Sequence, residues 1–339
     1  MNRISRYKVV ALLAVGLVAT PGSDVSAQQD KLAQTGMKFL SISVDARATG
    51  MANAVTAVEG GGESLFYNPA AMGWQEGSGN VAFGRTMWIA DIDYDYFSAS
   101  FVPGSGQYGV FATSLMFAQY GELQETIRFN NEQGFLDVGT FKPRAWAAGL
   151  GYAKAVTDRF SVGGQVKYVQ QDLGNSIVDF QGETGYLRSD NSEGVVAFDL
   201  GMLYRTGFRS LNFAVSARNF SAEVEYEEES FQLPLTLMIG VSMDMFDLVD
   251  FSENQSFHVS VDAVNPRDFS EQIKLGAEYR FMDILALRAG YAFPTDEEGI
   301  SFGGGVTPSL GSVGLAVDYS YTDFGVFSEV QRLTLKFKF

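Results

Sequence analysis

The chain has no cysteine, so neither a disulfide framework nor a lipid-modified cysteine is available. It has a single histidine, His258. Basic residues are scarce: 24 Lys and Arg stand against 40 Asp and Glu, a formal net charge of −16. That balance argues against a nucleic-acid partner, because phosphate binding needs clustered cations. Beyond the first few residues, no stretch approaches the ~20 consecutive apolar residues of a membrane-spanning helix. Mean hydropathy is near zero, as in a soluble protein. A transmembrane β-barrel has the same average, since its strands alternate apolar and polar residues. Composition therefore leaves the membrane question open, and pattern has to decide it.

The start of the chain reads as an export signal. Arg3, Arg6 and Lys8 precede an apolar run from Val9 to Ala19, and Val25-Ser26-Ala27 fits the small-residue cleavage pattern. Residues 1–27 are expected to be removed and the mature chain to begin near Gln28. After residue 79 the hydrophobic period becomes two. Ile273, Leu275, Ala277, Tyr279 and Phe281 alternate with Gln272, Lys274, Gly276, Glu278 and Arg280. Leu285, Leu287, Ala289, Tyr291 and Phe293 alternate with Ala286, Arg288, Gly290 and Ala292. Successive strand side chains point to opposite faces, so each segment has one oily face and one polar or small-residue face. About fourteen such segments follow one another over 80–339, most of them reaching the ~9–11 residues that a tilted strand needs to cross a bilayer.

Connection lengths point the same way. Pro103-Gly104-Ser105-Gly106, Val156-Thr157-Asp158 and Thr206-Gly207-Phe208 are tight, whereas 120–142, 173–192 and 220–232 are long. Short turns on one side and long loops on the other distinguish a transmembrane barrel from a soluble sandwich. In 91–101 the apolar parity switches, from Ile92, Tyr94 and Tyr96 to Phe97, Ala99 and Phe101, and a β-bulge is expected there. The last strand ends Leu333, Leu335, Phe337, Phe339, and a final strand closing on phenylalanine resembles the assembly signal of bacterial outer-membrane proteins. The expected fold is all-β: a transmembrane antiparallel barrel of about fourteen strands over 80–339, integral to the bacterial outer membrane.

Residues 28–79 differ in kind. They are rich in small residues, and a segment of this size is too small for a stable core of its own. Folding inside the barrel as a plug or hatch would give it one. Its run Phe39-Leu40, Ala46-Arg47-Ala48, Gly50-Met51 and Ser64-Leu65-Phe66-Tyr67-Asn68-Pro69-Ala70 resembles the N-terminal signature of the PorV/PorQ family, a branch of the FadL-like outer-membrane channels. Leu233-Pro234-Leu235-Thr236 and Asp262-Ala263-Val264-Asn265-Pro266-Arg267-Asp268 look like further family features. The resemblance implies a fourteen-stranded barrel with an N-terminal hatch whose motif residues are Arg47, Gly50, Asn68, Pro69 and Ala70. It also implies a role in type IX secretion, as a shuttle for exported cargo bearing a C-terminal sorting domain. Its partners would be that cargo, other secretion components, the barrel assembly machinery that reads Phe339, and outer-membrane lipid. The sequence departs from the shuttle members where they carry a tryptophan before Asn-Pro-Ala and a lysine after it. The alternative implied by more distant FadL-like relatives is passive uptake of hydrophobic small molecules.

Catalysis is not expected. Ser256, His258, Ser260 and Asp262 share one strand face, where residues two apart lie side by side and cannot form a nucleophile–base–orienter relay. Asp91, Asp93 and Asp95 alternate on one strand and read as an acidic rim rather than a cation site. Gly303-Gly304-Gly305 lacks a phosphate-loop lysine and reads as close strand packing or a barrel kink. Neither cofactor nor metal is called for. Glu223, Glu225, Glu227, Glu228 and Glu229 fall in a long connection and form a candidate partner-binding loop. Trp88, Tyr120, Trp146, Tyr168, Tyr204, Tyr279 and Tyr291 are candidates for the interfacial aromatic girdles.

Overall fold

The computed structural model describes residues 35–181, 185–226, 229–249, 254–295, 298–310, 313–327 and 329–339. The expected signal sequence, residues 1–27, lies outside them, as do residues 28–34. Among the described residues fourteen antiparallel strands close into a barrel. In chain order they are β1 Gly79–Met87, β2 Asp93–Phe101, β3 Val110–Gln119, β4 Arg144–Ala155, β5 Phe160–Gln181, β6 Gly185–Arg205 and β7 Asn212–Ser221. The second half comprises β8 Thr236–Asp244, β9 Gln255–Pro266, β10 Gln272–Phe281, β11 Leu285–Phe293, β12 Ile300–Val306, β13 Val313–Thr322 and β14 Val330–Lys338. Each strand pairs with its chain neighbours, and β14 returns to β1 with Asn80 opposite Lys338 and Met87 opposite Gln331. Closure leaves no sheet edge unpaired in the wall, the condition for placing strands in lipid. No helix among the described residues is long and apolar enough to cross a membrane.

The wall is inside-out relative to a soluble protein. Along β11, Leu285, Leu287, Tyr291 and Phe293 face outward and are exposed, while Ala286, Arg288 and Ala292 are buried in the lumen. In β10 Glu278 is buried and Leu275 and Phe281 are exposed. Polar-in, apolar-out alternation is stable only where the outside is hydrocarbon.

Two local expectations are corrected. No bulge interrupts β2. Its pairing with β3 runs unbroken from Asp93 opposite Gln119 to Phe101 opposite Phe111, and its pairing with β1 is equally regular. Tyr94 and Tyr96 point into the lumen with Ser98, where protein rather than water receives them, so the parity never switches. Register shifts occur instead between β5 and β6, at 172/175 and 177/179, and between β6 and β7 at 198/200. The second correction concerns 173–192, read as a loop. β5 runs on to Gln181 and β6 starts at Gly185, and the two stay paired as a ribbon that stands beyond the wall. The 120–142 connection likewise folds into a hairpin, Leu123–Arg128 against Phe135–Phe141.

Residues 35–78 thread the lumen from end to end. At the long-connection end, Gly36 donates its N–H to Gln232 O at 3.1 Å and the Thr35 hydroxyl donates to Asp268 at 2.8 Å. At the short-turn end, Ser78 donates its N–H to Phe339 O at 2.7 Å. Between these points lie a short helix, α1 (Ala46–Gly50), and three 3₁₀ turns, Lys38–Ser41, Gly62–Phe66 and Pro69–Met72. All fourteen strands touch this segment, which only an object inside the ring can achieve. Glycines on the inner wall permit the closest approaches: a Cβ on Gly163 would lie 2.6 Å from Ala70 N, and one on Gly276 would lie 2.7 Å from Met51 O.

Candidate functional site

The segment is held to the wall by buried charges. Asp45 caps α1, accepting from Ala48 N at 3.1 Å. The short helix is thereby fixed with Arg47 aimed at β10, where the guanidinium makes two hydrogen bonds to Glu278, at 2.9 and 3.0 Å. The same carboxylate accepts from Arg288 at 2.6 Å and from Arg280 at 2.9 Å. Arg288 continues the chain to Asp318 at 2.7 Å. On the strand next to that of Asp318, Lys336 of β14 pairs with Asp45 at 2.9 Å and Glu63 at 3.3 Å. Nearer the short-turn end, Arg205 forks onto Glu59 at 2.6 and 2.7 Å and lies over the Trp74 ring at 4.0 Å. The charge-assisted bonds from Arg288 and Lys336 are largely dehydrated and of the strong kind. The Arg205–Glu59 pair, with side chains 37% and 33% exposed, is partly screened by water.

The Asn68-Pro69-Ala70 step is a second anchor. Pro69 opens a 3₁₀ turn where its missing N–H costs nothing, and the Asn68 side chain caps that turn by accepting from Ala70 N at 3.0 Å. Its amide donates to Thr56 O at 2.8 Å and to Met202 O of β6 at 3.3 Å. Gly50 fits because β12 offers Gly303 opposite: a Cβ on Gly50 would lie 3.1 Å from Gly303 Cα.

Glu63 makes the attachment pH-dependent. Burial, the largest single influence, would raise its pKa, but the Lys336 ammonium and hydrogen bonds including one from Asn80 together outweigh it and hold the carboxyl down at about 2 against an ordinary 4.5. A depressed carboxylate contributes stability above its unfolded pKa and loses it as pH falls toward the folded one. Hydrogen-exchange protection of 56–72 is therefore expected to be full at pH 5 and to decline between about 4.5 and 2. Glu63→Gln should remove that decline; a profile unchanged by the substitution would refute the assignment.

The long-connection end presents a different surface. Its connections, 88–92, 120–143, 222–235, 267–271, 294–299 and 323–329, together with the ribbon 173–192, carry twenty acidic and four basic residues. Their net −16 equals the formal charge of the whole chain, so the remainder sums to zero. Arg188 of the ribbon bonds both carboxylate oxygens of Glu125 on the hairpin, at 3.0 and 3.3 Å, and ties the two projections together. Apolar residues on these projections remain uncovered, among them Leu123, Phe129, Phe135, Leu136 and Leu187. At the base, Lys167 donates to Asp199 at 2.7 Å and to Asn219 Oδ1 at 2.7 Å, and Asn219 donates to Pro234 O at 3.0 Å. That buried cluster sits at the β6–β7 register shift and pins the 222–235 connection to the wall.

The candidate loop glutamates separate. Glu223 accepts from Gln232 at 2.6 Å, and Glu225 and Glu229 lie on a small hairpin, Val224–Tyr226 against Glu229–Phe231. Glu227 and Glu228 lie outside the described residues. Phe339 donates its N–H to Gly79 O at 3.0 Å and leaves its ring half exposed. His258 faces Asp244 at 3.7 Å, while Ser260 donates to Val241 O and Asp262 accepts from Thr56 N, so the three side chains have separate partners. Asp95 is held by Arg85 at 2.7 and 2.8 Å. Tyr168, Tyr204 and Tyr291 face outward as girdle residues would, whereas Trp88 and Tyr120 pack against the lumenal core. Sequence reasoning missed Glu63, Glu278, Arg288, Asp318 and Lys336. For the four on strands the available signal was parity: a charged residue on the lumenal face of a membrane strand needs a partner. Glu63, in a hatch turn, gave no such signal.

Residues 138–331 match the family model described as type IX secretion system membrane protein PorP/SprF. No curated protein matches the chain. Among solved structures, the toluene transporter TodX of Pseudomonas putida is similar, with 12% identity, 86% of this chain and 96% of that chain covered, and a TM-score of 0.57. The monoaromatic hydrocarbon channel CymD is similar too, with 14% identity, 87% and 96% coverage and a TM-score of 0.52. A FadL homologue of Pseudomonas aeruginosa aligns at 12% identity over 87% and 98%, with a TM-score of 0.49. At such identities the likeness is one of fold.

Proposed function

The chain belongs to the PorP/SprF family of type IX secretion system membrane proteins and is an integral β-barrel of the outer membrane; from that footing we propose that it works by binding exported proteins, neither as a catalyst nor as an open pore. The observation that carries the reading is the occupied lumen. A hatch crossing it end to end is held by Arg47–Glu278, Lys336–Asp45 and Arg205–Glu59. Long connections face outward in such barrels, so the acidic end with its projecting hairpin and ribbon is the surface offered to a partner. In its finer form the proposal is the shuttle role implied by the PorV/PorQ-like hatch sequence. Cargo with a C-terminal sorting domain would dock on the outer connections and pass to the attachment machinery.

The second reading is passive uptake of hydrophobic compounds, suggested by the likeness in fold to a toluene transporter and a monoaromatic hydrocarbon channel. The small cavity among the hatch turns opposes it, because Asp45, Arg47, Glu59, Glu63 and Lys336 line it beside Val55, Val58 and Tyr67. An apolar solute passing there would displace ion pairs without replacing their hydrogen bonds.

Gentle detergent extraction of the native protein, followed by mass spectrometry of what accompanies it, tests the proposal. Exported proteins sharing one C-terminal domain are expected, and deleting 123–141 should release them while the barrel still folds. A lone barrel carrying a bound hydrophobe would overturn the reading.

A further inference from the structure

Three consecutive glycines, Gly303-Gly304-Gly305, lie in β12, and packing accounts for only two of them. Gly303 faces the lumen, where a Cβ would come 3.1 Å from Gly50 Cα. Gly305 also faces the lumen, and its space is taken by the Asp318 carboxylate and by Arg288, whose nitrogens lie 3.0 and 3.2 Å from a Cβ there. Gly304 points the other way, out of the wall. A Cβ on it would meet only Ala286 O, at 3.9 Å. Its φ is not in the left-handed region, so nothing in the backbone or the packing calls for glycine. Glycine weakens a strand interior, and in this wall it also forgoes an apolar side chain where Leu287, Phe302 and Tyr319 are all exposed.

The missing side chain leaves a slot. Gly304 is paired with Leu287 on β11 and with Tyr319 on β13, so those two side chains stand as walls on either side of bare backbone. The groove has a volume of about 630 Å³ and runs from Tyr319 past Leu287 and Val317 to Phe281, Leu285 and Val306. That course leads from mid-wall to the short-turn end, the periplasmic half of the membrane. The walls stand two strand spacings apart, about 10 Å from backbone to backbone. A helix with its side chains is ~10–12 Å across and does not enter. A single hydrocarbon chain, which needs no hydrogen-bonding partner, does.

We propose that the Gly304 slot is a binding site for one acyl chain of a periplasmic-leaflet phospholipid. The site is separate from the acidic outer end and does not depend on what that end binds. The test uses the full chain, purified and delipidated in detergent, with palmitoyl-oleoyl phosphatidylethanolamine added back and bound lipid counted by native mass spectrometry. The wild type is expected to retain one lipid after the annular ones are stripped. Gly304→Leu, which fills open space and leaves strand pairing intact, should weaken that binding at least tenfold, and Gly304→Ala should do so to a lesser degree. Ala263→Leu adds the same side chain to the outer face of β9, three strands from the slot, and should change nothing. Equal retention by Gly304→Leu, or no retention by the wild type, would overturn the proposal. So would loss of a second protein chain, rather than a lipid, on filling the slot.

Discussion

Glu278→Gln is expected to destabilise the folded barrel by about 3–5 kcal/mol, the usual consequence of removing one partner from a buried ion pair. The carboxylate accepts from Arg47, Arg280 and Arg288, and the Arg288 and Glu278 side chains are 2% and 0% exposed. A neutral amide cannot compensate three guanidinium groups, and Arg288, the most buried, has no water to turn to. Arg288 keeps Asp318, so the loss falls mainly on Arg47 and the hatch attachment. Urea unfolding in lipid vesicles, followed by the heat-modifiable gel mobility of barrels, gives the measurement. Glu122→Gln, which removes an exposed pair with Lys142, is the control and should leave the midpoint unchanged, because exposed pairs contribute little. Equal behaviour of the two variants would show that the lumenal network is not what secures the hatch.

Gly163→Leu should convert a silent barrel into a conducting one. Gly163 faces the lumen from β5, and a Cβ there would sit 2.6 Å from both Ala70 N and Pro69 C. Those are backbone atoms of a turn already tied down by Asn68, so the hatch cannot yield locally and must leave its seat. Strand pairing has no need of that glycine, since Gly163 faces Ala153 and Gly201 through ordinary antiparallel bonds. In planar bilayers the wild type is expected to show no steady ion current and the variant to show discrete steps. Gly276→Leu, aimed at Met51, should act alike from the opposite wall. Gly164→Leu points outward, meets nothing closer than 3.4 Å and should stay silent.

The strands were legible because each crosses from one solvent to another with its two faces in different media, and period-two alternation records that directly. Where the lumenal medium is protein the record changes. Tyr94 and Tyr96 look like outward residues in a sequence, yet they pack against the hatch, and the Tyr96 hydroxyl bonds Asp45 at 3.0 Å. The ribbon over 173–192 escaped notice because beyond the membrane neither face is oily and the alternation stops while the pairing continues. The hatch motif stood out as a run of residues, but its function as an attachment did not. Arg47 meets Glu278 across 231 positions of sequence, and nothing local says which lumenal carboxylate it will find. The glycine triplet could be read as tight packing, but only the facing of each residue separates the two that need it from the one that does not.

The central claim is that this barrel serves export by binding, with its lumen shut. Comparing cells with and without the protein tests it most directly, by quantifying exported proteins on the surface and in the periplasm alongside uptake of a hydrophobic solute. The account predicts that removing the protein strands a defined set of exported proteins in the periplasm while solute uptake is unchanged. A normal surface proteome with lost uptake would contradict it.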